Sequence, residues 1–141
     1  MTFRSHFSKC LALLLGIAVV WLSAPALTRT ASGDQPANDK EAKAFFEKQI
    51  QPILVKECYE CHSTKRGKQE GGLAVDSRKA IRRGGDRGPA IVPNDVDASL
   101  LLGAIGYDDE DLQMPPDGKL PDAVIANFKK WVEDGAVDPR D

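Results

Sequence analysis

Apolar residues along the chain concentrate in a few segments separated by polar, glycine- and proline-containing stretches. Residues 11–22 (LALLLGIAVVWL) form one unbroken apolar run. Over 39–57 the pattern changes: Ala42, Phe45, Phe46, Gln49, Ile50, Ile53 and Leu54 recur at spacings of three and four. That period predicts an amphipathic helix, with Asn38 or Asp39 as cap. Pro52 removes one amide donor inside it and should bend or interrupt it. Residues 63–76 are polar, and their Gly71-Gly72 pair predicts a tight turn or a close backbone approach. A short helix is expected over 77–83, capped by Asp76 or Ser77, then an irregular stretch over 84–93. Another short helix follows over 99–105, with Ser99 as cap and Leu100, Leu101 and Ile105 apolar. The last helix spans 121–134, with Val124, Ile125, Phe128, Trp131 and Val132 on one face. Pro121 suits its first turn and Gly135 the position just past its end. Phe128 and Trp131 should meet Phe45 or Phe46 where the terminal helices cross. No stretch alternates with the period of a strand, so the expected class is all-α: a small helical domain with long irregular loops.

The first apolar run has its own context. Arg4 and Lys9 precede it and Ala24-Pro25-Ala26 follows. Together they have the form of a secretory signal over residues 1–26. A membrane span needs roughly 20 apolar residues, so an uncleaved anchor through residues 11–27 is the alternative reading. Cys10 lies before the run, where a lipid-anchored cysteine would lie after it. Residues 27–38 read as a linker. The remaining 39–141 suffices for one small domain and not for two. Either reading of the leader places that domain outside the cytoplasm, as a periplasmic or membrane-anchored protein.

Chemistry enters at Cys58-Tyr59-Glu60-Cys61-His62. This is C-x-x-C-H, the attachment signal of a c-type haem. Two thiols add to the two vinyl groups of the macrocycle. The histidine that follows lies beneath the iron as its proximal ligand. An inventory strengthens the reading. The chain holds three Cys, two His and two Met; Met1, His6 and Cys10 all fall in the leader. What remains is Cys58, Cys61, His62 and Met114, the set that a His/Met-ligated haem c requires.

Competing readings fit less well. A structural zinc site needs four Cys/His ligands, and three are left. A Cys58–Cys61 disulfide closes too small a loop to constrain the unfolded chain much. A thioredoxin-like dithiol needs a strand before it and a helix after it; here a helical pattern precedes and a polar loop follows. Dithiol redox chemistry is the remaining rival. Met114 stands in YDDEDLQMPPDGK, followed by Pro115 and Pro116. A lone methionine is usually core filler, but this segment is too polar and too rich in proline to be a core helix. A proline-braced loop suits a distal thioether ligand. A lysine, water or an open sixth position are the alternatives. A domain of this size has a modest core, so the chain without haem should fold poorly.

These pieces carry a resemblance. ILVKECYECHS, KQEGGLAVDSRKA, RRGGDRGPAIVPNDVDASLLLGAI, YDDEDLQMPPDGKLP and KKWVEDGA, within about residues 53–139, resemble the planctomycete-type cytochrome c domain. The resemblance implies a small cytochrome c-like helical fold wrapped around one covalent haem c, and electron transfer. It implies thioether bonds at Cys58 and Cys61, and His62 and Met114 as axial iron ligands. In that family the domain usually opens a longer exported protein; this chain is expected to stop after the haem domain. Gly88-Pro89 also resembles the Gly-Pro of many small cytochromes c, where the proline carbonyl accepts from the proximal imidazole and raises its basicity. A plain turn is the alternative there.

Charge is uneven. Between residues 56 and 87 nine basic residues face five acidic ones; between 95 and 122 eight acids face Lys119 alone. The plainer reading is solvated surface. The sharper one is a dipole that orients the domain on a charged redox partner, an unidentified dehydrogenase or terminal oxidase. Arg87 and Arg83 are candidates to pair with haem propionates. The basic block is too diluted with acids, and too poor in aromatics, for nucleic acid. The reading that results is an exported carrier working by outer-sphere transfer, iron cycling between its ferric and ferrous states, and not an enzyme. The alternatives are an open-site haem enzyme or sensor, or a haem subunit of a separately encoded oxidoreductase.

Overall fold

The computed structural model describes residues 35–141; the signal segment expected over 1–26 and the expected linker up to residue 34 lie outside them. The chain enters through α1 (Gln35–Phe45) and continues helically through a wide π turn (Phe46–Ile50), α2 (Gln51–Ile53) and a second π turn (Leu54–Cys58). The Gln51 amide closes on the Phe46 carbonyl, and the Tyr59 amide on the Leu54 carbonyl, each five residues back. Pro52, which has no amide to donate, lies between the two widened turns; the helix absorbs the lost donor by widening instead of stopping. α1 starts four residues before Asp39. Pro36 occupies its first turn, where a missing N–H is harmless.

Past the helix the chain forms a small hairpin. β1 (His62–Ser63) pairs antiparallel with β2 (Lys68–Gln69), His62 opposite Gln69 and Ser63 opposite Lys68. A single 3-10 turn, Thr64–Arg66, joins them through Gly67 at φ +70°. The fold is therefore mostly helical, as expected, with a small two-stranded sheet that the all-α expectation did not include. Two-residue strands are too short to leave an alternating pattern in the sequence. Beyond them lie a 3-10 turn (Glu70–Gly72), α3 (Arg78–Arg83), α4 (Leu100–Gly106) and α5 (Asp122–Glu133).

The core forms where the helices cross. Phe46, Ile50 and Leu54, four residues apart, are fully buried. They meet Phe128, Trp131 and Val132 of α5, also buried. Phe46 and Trp131 stack tilted at 5.5 Å, and Phe128 stands edge-on to Trp131 at 6.2 Å, a favoured aromatic geometry. The Trp131 indole donates to the Val137 carbonyl at 2.8 Å. The expected meeting of terminal helices holds, through Phe46; Phe45 is half-buried beside it. α4 buries Leu101, Leu102, Ala104 and Ile105.

Caps depart from expectation in two places. Ser77 caps α3 by accepting from the Ala80 amide. Ser99 does not cap α4: its buried hydroxyl accepts from the Val92 amide at 2.9 Å and donates to the Asp95 carbonyl at 2.6 Å, closing the loop before the helix. Pro121 precedes α5 as its N-cap instead of entering the first turn, and Gly135 follows its end at φ +92°.

Candidate functional site

A cavity of about 410 Å³ opens between the end of the long helix, the hairpin, the 84–90 loop, α4 and the 111–116 loop. That volume lies in the range of roughly 300–1,000 Å³ typical of small-molecule and cofactor sites. Its wall is largely apolar: Leu73, Val75, Ala90, Leu101, Ala104 and Ile105 contribute. Cys58, Cys61, His62, Met114 and Arg87, all singled out from the sequence, line this one cavity. Arg83 and Pro89 do not.

The first three arrive together because the second π turn ends on Cys58 and the chain then curls tightly. The Cys61 amide donates to the Cys58 carbonyl at 3.2 Å. His62 opens β1, and its carbonyl accepts from the Val75 amide at 2.9 Å. Both cysteines are free and half-buried. Burial, with the neighbouring Glu57 carboxylate adding to it, pushes the Cys58 thiol up to about 12. Redox-active dithiols have depressed values, because the thiolate is the reacting form. A thioether sulfur carries no charge, so the same apolar setting does not oppose it.

His62 carries the sharpest signal. Its Nδ1 is buried and has no hydrogen-bond partner. An unsatisfied buried polar atom costs about 1–3 kcal/mol, so it calls for an explanation. The residues present fit a haem: an apolar cavity with two thiols, one imidazole and one thioether at its wall.

The expected bond from the His62 ring to the Pro89 carbonyl is not formed, since Nδ1 is unpartnered. Pro89 is exposed. Its turn is shaped by close backbone packing: Gly84, at φ +74°, lies so near the Gly88 carbonyl that a Cβ would collide with it.

Met114 reaches the cavity from a different direction in the sequence. Its amide donates to the Ala104 carbonyl at 3.0 Å, tying the loop to α4. The Tyr107 hydroxyl donates to the Pro115 carbonyl, and Pro115 is buried. The Met114 residue itself is 37% exposed.

Several residues that shape the site passed unremarked in the sequence. The two residues inside the motif look like spacers, yet Glu60 pairs with Arg66 at 2.7 Å and Lys68 at 3.3 Å. The hydrogen bond and charge of Lys68, then Arg66, hold its carboxyl below the ordinary value. Ser63 and Asp76, both buried, form a latch just past His62. The Ser63 hydroxyl donates to Asp76 Oδ2 at 2.8 Å and the Lys65 amide to the same oxygen at 2.9 Å. Burial alone would raise the Asp76 carboxyl; those two hydrogen bonds, together with its own backbone amide and the Lys65 charge, outweigh it, and the net shift is downward. Asp76 stood out only as a helix cap. Its spacing from Ser63 carries no motif, so only the polarity of a residue beside an apolar pair hinted at it.

Among the described residues no helix is long and apolar enough to cross a membrane. No curated protein and no solved structure matches the chain. Residues 58–118, from the first cysteine of the motif to the turn after Met114, match the family model described as Planctomycete cytochrome C, the family that the sequence resembles.

Proposed function

We propose that this protein is an exported single-haem c-type cytochrome that carries electrons, with His62 and Met114 as axial ligands. One observation supports this above the others: the cavity that collects Cys58, Cys61 and His62 also collects Met114, more than fifty residues away. When bound, the haem supplies one-electron chemistry at its iron.

The chain's own residues do the rest. Cys58 and Cys61 would hold the macrocycle through uncharged thioethers. His62 offers a ring nitrogen from a backbone fixed on both sides by the Val75 amide and the Ser63–Asp76 latch. Met114 offers a weak thioether donor from a loop anchored to α4; as an iron ligand it would favour the reduced form and raise the potential. Leu73, Val75, Leu101 and Ile105 exclude water. Arg87 is a basic residue on a wall that also carries Glu57, Glu70, Asp86 and Asp111, and so the partner for propionates.

A second reading is favoured by one fact. Met114 is exposed to 37%, so a sixth position without methionine, as in a haem enzyme or gas sensor, is the competitor. The partner of either form is a separate redox protein of the dehydrogenase or oxidase kind.

The test is an optical spectrum of the chain matured with a c-type haem system, oxidised and reduced, with and without carbon monoxide. Covalent haem, low-spin bands, a methionine-to-iron charge-transfer band and no response to carbon monoxide are expected. Rapid carbon monoxide binding would transfer the assignment to the open-site reading. Absence of covalent haem, beside a control cytochrome that matures, would restore the dithiol reading.

A further inference from the structure

The segment after α5 returns to the haem-attachment motif. Arg140, with 12% of its side chain exposed, is gripped by Asp138, whose side chain is 1% exposed. Nε donates to Oδ1 at 2.9 Å and Nη2 to Oδ2 at 2.6 Å, a fork on a carboxylate. The guanidinium lies over the Phe46 ring at 4.7 Å. Nη1 is then left to point elsewhere. It donates to the Tyr59 hydroxyl at 2.6 Å and to the Val75 carbonyl at 3.0 Å.

Both acceptors belong to the site. Tyr59 stands between the two cysteines of the motif. Val75 donates its own amide to the His62 carbonyl and lines the cavity. One guanidinium therefore ties the inside of the Cys58-to-His62 curl to the strand of chain that holds His62 from behind. We infer that Arg140, aligned by Asp138, is a positioning residue for the haem-attachment curl, acting through Tyr59 and Val75. The inference rests on the haem reading for its functional meaning; the restraint on residues 58–62 stands on the hydrogen bonds themselves.

An ordinary buried ion pair would stabilise the whole domain evenly. A positioning residue would restrain the curl in particular. Arg140→Gln removes the fork and the charge, Arg140→Lys keeps the charge but not the fork, and Tyr59→Phe deletes only the hydroxyl. The full chain, matured with a c-type haem system, is compared as wild type and these three variants by amide hydrogen exchange. Peptides covering residues 58–63 are read against peptides within α5, and the reduction potential is recorded beside them. Exchange over 58–63 is expected to quicken by about tenfold or more in Arg140→Gln and Tyr59→Phe, the worth of one charge-assisted hydrogen bond to local opening. α5 should change less, the potential should shift, and Arg140→Lys should not restore the wild-type behaviour. Equal quickening in α5 and the curl, or an unchanged curl, would overturn the inference. Should Arg140→Gln fail to fold, Tyr59→Phe decides alone. Covalent haem in the wild type is scored separately: its absence sinks the haem reading, while the exchange comparison still judges the restraint.

Discussion

At the scale of single residues, the site depends on a few atoms whose removal has distinct signatures. Met114→His would exchange a weak thioether donor for a strong imidazole. It should lower the reduction potential by on the order of a hundred millivolts, well within the roughly 0.8 V that axial ligands span, and abolish the methionine-to-iron band; potentiometry and the oxidised spectrum read both. Asp76 has a downward-shifted carboxyl in the folded protein. Its contribution is therefore fully present above the ordinary aspartate range and is lost as pH falls through the lower, folded value. Asp76→Asn should flatten the acid limb of a urea-midpoint profile against pH. At neutral pH Asp76→Ala should cost about 1–3 kcal/mol by stranding the buried Ser63 hydroxyl. The residues proposed to carry the chemistry were legible at this scale: Cys58, Cys61 and His62 stand in a motif, and Met114 is the one methionine of the described residues. Ser63, Asp76, Arg140 and Asp138 were not. The Ser63–Asp76 bond spans 13 positions and the Arg140–Tyr59 bond 81, and no local pattern marks such pairs; Asp138 stands two residues from Arg140, but its role follows from where Arg140 reaches.

At the scale of elements, the helices announced themselves through apolar spacing, and the hairpin did not. Four of the predicted segments are helical, with boundaries displaced by a few residues where prolines serve as entry points. Pro36 lies in the first turn of its helix, while Pro121 stands just outside the last helix as its N-cap. The hairpin depends on a turn with Gly67 at positive φ and on only two residues per strand, too little for periodicity to register. The 84–90 loop is decided by backbone proximity. Gly84, with φ +74° and ψ −159°, occupies a region open essentially to glycine alone. Gly84→Ala should destabilise the domain by about 1–3 kcal/mol, measured by urea denaturation, and should loosen the wall that bears Arg87.

At the scale of the whole molecule, the fold is a modest core beside a cavity nearly as important as the core itself. Trp131 sits at the centre of that core, touching Phe46 and Phe128 and donating to Val137. Trp131→Ala should cost about 3–5 kcal/mol and unfold a domain this small at moderate urea. The chain produced without haem maturation should unfold at a markedly lower urea midpoint than the matured protein, because a ligand bound only by the folded state stabilises it. The helix that leads into the site also has a consequence for its direction. A regular α-helix turns about 100° per residue, whereas the two widened turns on either side of Pro52 turn less. Each therefore takes up about one extra residue without rotating the helix beyond it. The angular phase of Cys58 against Phe46 is set by those two turns: a helix straightened at full length would aim the cysteine away from the cavity, while one shortened by a residue at each wide turn would aim it back.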